Sequence, residues 1–398
     1  MRGWMALAAA SLLAIAAWPL VNHTARASAF QAAPVQRDYA IRDDTVAFYE
    51  RRVQRDPNDQ VSAALLAGQY MQRYRENGDP GDILRALAQG KRALALQPQN
   101  NASAEGVIAS AYTALHKFHD ALRYERMAQQ EQPYDANAPA QVASLDMEVG
   151  DYADARKELM RAERLKITPT TMAVQARYDE LTGQLDRAAA LLERAMEIQD
   201  GNYDNGAQSR AWYHFRLGEV LFESNESGVA ESREREAIAL FPNFELAYRA
   251  LARICRFRQD WGCALDAATT GATVVPIPET LGYKADAEDA LGRHADARQT
   301  RALIYAVERI GNAYHLNDRL LAMYYADHRV RLADAYGIAQ REVRLRGDEI
   351  YAQDTLAWTA AVNGKWSVAR AAIAKALRYG IQDPRVRAHA AYIAAHAR

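Results

Sequence analysis

Three arginines, Arg249, Arg253 and Arg256, are spaced four and three residues apart, which puts their side chains on one stripe of a helix. Upstream, Trp212, Phe215, Glu219 and Phe222 repeat the same periodicity, mostly with aromatic rings in place of guanidinium groups. Arg forks pair with carboxylates, rings supply buried area, and both residue types are enriched at binding hot spots. The chemistry on offer is recognition of an acidic and apolar segment. Equally open is a solvated basic face paired with Glu219, Asp286 and Asp289 on neighbouring helices. Tyr351, Asp354 and Trp358 form a second candidate cluster near the C-terminus.

Bond-making chemistry needs convergent polar groups with tuned ionisation, and the sequence offers none. It has no Gly-rich phosphate cradle, no His-Glu-x-x-His and no Gly-x-Ser-x-Gly elbow. His116 and His119 sit three apart beside Lys117 without a third metal ligand nearby, so they read as solvated turn residues. We therefore expect no enzyme, no cofactor and no metal. Cys255 and Cys263 are the only cysteines. They lie on either side of a turn, and both a disulfide and two buried thiols stay open, because Cys263 precedes the inward-facing Ala264 and its direction is not fixed by the pattern.

A repeat positions these residues. Tyr112 to Ala121, Val149 to Ala155 and Thr182 to Ala188 share one skeleton, with Ala128, Ala162 and Ala195 following, and the hinge alanines Ala121, Ala155 and Ala188 are 34 and then 33 residues apart. Alanine or glycine also recurs in one column of the first helices (Ala67, Ala109, Ala143, Ala176, Gly218, Ala252, Ala285, Ala322, Ala357). A column restricted to small side chains is where two helices approach most closely. This pattern resembles the tetratricopeptide repeat (TPR). The segments Leu320 to His328 and Asp354 to Trp358 also look like part of a group of exported bacterial TPR proteins without assigned chemistry.

The resemblance implies an all-α fold, a TPR-type α-solenoid: a right-handed superhelix of about nine helical hairpins with capping helices, over residues 44–396. Three departures are expected: a long turn from Arg73 to Asp82, an insertion around residues 200–206 that maps to a loop, and an irregular eighth repeat. Residues 30–43 read as a flexible lead-in. Residues 1–29 read as a signal peptide, with an apolar run from Met5 to Val21 and small-x-small cleavage sites at Ala25–Ala27 and Ala27–Ala29. The expected address is periplasmic or secreted in a bacterium, the alternative an N-terminal membrane anchor.

Lysine plus arginine (49) nearly equals aspartate plus glutamate (50), which removes global steering toward polyanions, and no nucleic acid is expected as partner. In TPR proteins the inner face of the first helices lines a groove for extended peptides or helices. The N-terminal part of that face is small and weakly polar (Ala64, Gly68, Gly106, Ser110, Ala140, Ser144), whereas Trp212 to Arg256 brings rings and charge. The expected function is an exported scaffold that binds a protein or peptide, as an adaptor or assembly factor, with no stable membrane insertion after signal cleavage. The rivals are an enzyme with a site assembled in the superhelix and a self-associating structural element.

Overall fold

In the computed structural model, which describes residues 34–202, 205–311 and 318–396, the chain is a succession of helices. The expected signal peptide lies outside the described residues. Helix α1 (Pro34–Arg55) leads into nine hairpins: α2 (Gln60–Asn77) with α3 (Pro80–Leu96), α4 (Ala102–Ala114) with α5 (Phe118–Glu131), α6 (Asn137–Glu148) with α7 (Tyr152–Leu165), and α8 (Pro169–Leu181) with α9 (Leu185–Asp200). They continue as α10 (Ala207–Glu223) with α11 (Ser227–Leu240), α12 (Glu245–Phe257) with α13 (Trp261–Val274), α14 (Pro278–Ala290) with α15 (His294–Gly311), α16 (Asp318–Asp327) with α17 (Leu332–Arg346), and α18 (Ile350–Val362) with α19 (Trp366–Ala376). Helix α20 (Pro384–His396) closes the array, and no strand occurs among the described residues.

Local chemistry punctuates the helices. Most hairpins turn through one residue in the left-handed region: Gly150 and Gly183 in two repeats, and His116, Asn225, Gln259 and Arg329 at the matching position of others. Thr168 and Thr171 form a reciprocal capping box with Pro169 in the first turn of α8. The alanines expected at the hinges and at the helix contacts are all buried. Gly218 has a sharper reason to be small. A Cβ there would lie 2.3 Å from a carboxylate oxygen of Glu234, a fully buried side chain with no hydrogen-bond partner on either oxygen. Burial, reinforced by Glu219, pushes the Glu234 pKa well above the carboxylate range, so it packs as a neutral acid.

Three expectations need correction. Helix α1 starts at Pro34, so helix covers much of the stretch expected as a lead-in. The long turn from Arg73 to Asp82 is instead two residues: α2 runs to Asn77, Gly78 ends it in the left-handed region, and Asp79 caps α3 with Pro80 at its start. The insertion near residue 203 lengthens α9 and α10 to 16 and 17 residues as well as adding a link. Asp200 at the extended end of α9 binds Arg210 and His214 of α10 at 3.2 and 2.8 Å. The irregular eighth repeat has a short α16 of 10 residues.

The array closes on itself. Arg346 donates to the Glu148 backbone carbonyl and pairs with its carboxylate, and the Ile350 amide donates to the Tyr152 hydroxyl at 3.1 Å, each across 198 residues. That separation is close to six repeats of the 33- to 34-residue period. Tyr39 meets Phe241 at 5.6 Å between ring centroids, and Tyr152 meets Tyr379 at 4.6 Å. Contacts at this separation mean that the small rotation added by each repeat has brought one turn of the superhelix onto the next. The concave groove is thereby walled by two superhelical turns where they meet, and we call this walled groove the channel.

Candidate functional site

The arginine stripe lies on α12, and every member has a carboxylate partner. Arg249 faces Glu245 (3.8 Å) and Glu279 (3.5 Å), Arg253 binds Glu219, and Arg256 binds Asp286 at 2.9 Å. Asp286 also receives His328 at 2.7 Å, and Asp289 pairs with Arg301 and His294. Arg253 lies 4.6 Å from the Phe222 ring centroid, a cation–π contact inside the stripe. Trp212 is half-buried between two core clusters. Phe215 is a correction: it is buried against Phe244, edge to face at 5.7 Å, and cannot act as a surface anchor. Helical periodicity placed it on the inner face, but Phe241 and Phe244 from the following link cover that position.

Beyond this stripe, charge runs around the channel. Arg385 of α20 reaches Glu279 of α14 at 3.4 Å across 106 residues. Burial disfavours the Glu279 carboxylate, yet Arg249, Arg385 and Arg253 outweigh it and hold its pKa at about 2. These side chains are half-buried, in contact with both water and protein. In such a setting charges interact more strongly than on an open surface.

A cavity of about 340 Å³ lies where the two superhelical turns meet. Thr113, His116 and Phe118 line it from one turn and Arg319, Leu320, Arg346 and Tyr351 from the next, with Arg177, Arg249 and three glutamates between. Arg346 is nearly buried, contacts Glu148, Glu342 and Glu349, and lies 4.8 Å from the Phe118 ring centroid. The guanidinium groups of Arg177 and Arg319 approach the Tyr351 ring at 5.3 and 5.4 Å. His116 is therefore no solvated turn residue: burial, with Arg346 and Arg319 nearby, lowers its pKa to about 4 and leaves it neutral. Arg319 and Arg346 come from the two helices of one hairpin and Arg177 from a repeat far upstream, and no local spacing marks the three as a set.

The second candidate cluster does not converge on one place. Tyr351 faces the cavity. Asp354 is buried and binds His389 of α20 at 2.9 Å. Trp358 stacks on His389 at 4.4 Å and donates its indole N–H to Asp327 at 2.7 Å. Cys255 and Cys263 are joined by a disulfide with Cα atoms 5.8 Å apart. It clamps α12 to α13. Glu231 lies beside the two sulfurs, but both are engaged in the bridge and Glu231 itself pairs with Arg235 and Arg258.

Several acids have their pKa raised toward neutrality. Burial with Glu131 nearby raises Glu105 to about 7, burial with Asp135 and Glu105 raises Glu125 to about 7, and burial outweighs Arg126 to raise Asp146 to about 6. A raised carboxyl binds more protons folded than unfolded, so its contribution to stability falls as pH climbs from the unfolded value through the folded one. His116 works the other way, costing stability as pH falls from about 6.5 toward 4. One histidine opposes these three carboxyls, and burial raises Glu234 and Glu342 in the same sense. Thermal unfolding followed by circular dichroism should therefore give a higher midpoint at about pH 5.5 than at about pH 8; an equal or lower midpoint contradicts the ionisation states assigned here.

No family model matches the chain, and none of the curated proteins matches it. Among solved structures, the chain is similar to human IFIT1, determined as a dimer with PPP-AAAA, at 15% identity over 80% of this chain and 72% of that one, with a TM-score of 0.53. It is also similar to TTC0263, a thermophilic TPR protein of Thermus thermophilus, at 23% identity over 47% of this chain and 94% of that one (TM-score 0.38). A tetratricopeptide repeat protein of Parabacteroides merdae aligns at 13% identity over 60% of this chain and 90% of that one (TM-score 0.45). At these identities the likeness is one of fold: the chain is a TPR-type α-solenoid.

Proposed function

Starting from a TPR-type solenoid whose turns stack into a channel, we propose that the protein is a non-enzymatic binding scaffold that holds a segment of a protein or peptide partner against its inner face. The observation that carries this reading is the channel lining. Guanidinium and carboxylate groups alternate there, half-buried and in contact with both water and protein, with Phe222 beneath Arg253. Such a lining suits a segment carrying acidic and apolar groups, which exchanges pairs with the arginines and buries its apolar part. We further propose a periplasmic or secreted location, supported by the pattern of residues 1–29 and by a disulfide suited to an oxidising compartment. No described helix is long and apolar enough to cross a membrane.

IFIT1 was solved with an RNA 5′ end, so RNA is the specific competitor. Affinity for a polyanion comes from unpaired Lys and Arg that neutralise its phosphates, and here Glu219, Glu279 and Asp286 already pair with the arginines. Protein is the better match.

The test is a pulldown from the native envelope with the chain as bait, comparing wild type with the Arg253→Glu, Arg256→Glu double variant. Circular dichroism first establishes that the double variant keeps its helicity; partner recovery should then be lost, and wild-type recovery should weaken as salt rises. Undiminished recovery by the folded variant removes the stripe from the binding surface. Retention of a triphosphorylated RNA oligonucleotide, with no protein captured, moves the reading to RNA.

A further inference from the structure

The inter-turn cavity holds one arginine without an ion-pair partner among the described residues. Arg346 is matched by Glu148, Glu342 and Glu349, Arg249 by Glu245 and Glu279, and Arg177 by Glu180. Among the described residues no carboxylate lies within ion-pairing distance of Arg319, whose recorded contact is the face of Tyr351. Residues 312–317, which precede α16, contain no Asp or Glu. Arg319 is half-buried, and burial with the like charges of Arg346 and Arg385 outweighs the more distant Glu349 and Glu279, so its pKa falls below the usual arginine value. Leaving a charge unpaired in such a place is costly, and an anion drawn from solution relieves the cost.

We infer that this cavity binds a small organic monocarboxylate, its carboxylate on Arg319 and its apolar body against Leu320 and the His116 ring. Charge counting selects the monoanion. The lining sets four arginines against three glutamates, Arg319 alone lacks a carboxylate at ion-pairing distance, and Glu148, Glu342 and Glu349 around it repel a ligand carrying two or more negative charges. Size selects a small molecule, since about 340 Å³ lies at the lower end of ligand-pocket volumes. The planar guanidinium fork matches a carboxylate with two parallel hydrogen bonds. Because the cavity is walled by both superhelical turns, the ligand also ties one turn to the other. Arg249 borders both this cavity and the partner stripe, but the carboxylate site is centred on Arg319, outside the stripe, and does not rest on the partner reading.

The experiment titrates the full chain with acetate, hexanoate and benzoate, with hexanamide and benzamide as uncharged counterparts, and with inorganic phosphate, reading calorimetry and thermal unfolding. Hexanoate or benzoate should bind and raise the unfolding midpoint, while the amides and phosphate should not. Arg319→Gln should weaken carboxylate binding by about tenfold or more, the loss of a charge-assisted hydrogen bond. Its ligand-free midpoint should stay level or rise, since an unpaired charge has been removed, and Arg319→Lys should retain part of the binding. No binding of any carboxylate overturns the proposal. So does phosphate binding as well as benzoate, or a lower ligand-free midpoint in both Arg319 variants, which would make Arg319 a structural residue.

Discussion

Replacing Arg346 with alanine is expected to cost about 3 kcal/mol and to loosen the contact between the two superhelical turns. Arg346 is 7% exposed and is the shared counterion of three glutamates, two of them, Glu342 and Glu349, buried. It also donates across 198 residues to the Glu148 carbonyl and covers the Phe118 ring. Removing it strands acids where water cannot replace it, the situation in which breaking a buried pair costs roughly 3–5 kcal/mol. The lower end applies for two reasons. Glu148 is a third exposed and regains water, and Glu342, whose pKa burial already raises, neutralises by taking a proton. Urea unfolding measures the loss, and amide exchange locates it: protection should fall in residues 146–152 and 346–351 together, although they are far apart in sequence. Arg258→Ala, which removes an exposed partner of Glu231, should change stability by less than about 1 kcal/mol. Equal effects of the two substitutions would mean that Arg346 does not join the turns.

The hairpins were legible in the sequence because they depend on local rules. Ala121, Ala155 and Ala188 mark where helices touch, and a column that admits only alanine or glycine carries that information at every repeat. The closure was not legible. It results from a small rotation per hairpin summed over six repeats, a quantity that side-chain periodicity does not encode. Gly150 and Gly183 read as ordinary turn residues, yet each also faces backbone of the next superhelical turn. For the same reason Arg177, Arg319 and Arg346 could not be grouped. The stripe of Arg249, Arg253 and Arg256 was visible as a face, and Glu219 and Asp286 as its partners, but Glu279 was not, since its position follows from the packing of α14 on α12. The turn after α2 misled because Gly78 and Pro80 look like loop residues, when one ends a helix and the other begins the next.

Gly183→Ala provides the sharper test of closure, because the protein contains its own control. Gly183 and Gly364 occupy the same hairpin position with φ of +77° and +70°, so an alanine at either meets about 1–2 kcal/mol of left-handed backbone strain. Their surroundings differ. A Cβ at Gly364 meets nothing within 4 Å, whereas at Gly183 it lies 2.2 Å from the Gly380 carbonyl oxygen and 3.1 Å from its carbon. These are backbone atoms of the link between α19 and α20, and no side-chain rotation relieves the overlap. The turns must separate by about an ångström or more, which adds an overpacking cost of about 1–3 kcal/mol. Gly183→Ala should therefore be less stable than Gly364→Ala by that amount and should show a larger radius of gyration in solution scattering, while Gly364→Ala keeps the wild-type radius. Gly150→Ala, whose Cβ would lie 2.5 Å from the Glu349 amide nitrogen, should follow Gly183→Ala. If all three variants behave alike in stability and size, backbone strain alone explains them, the turns do not press together in solution, and the inner face is an open groove.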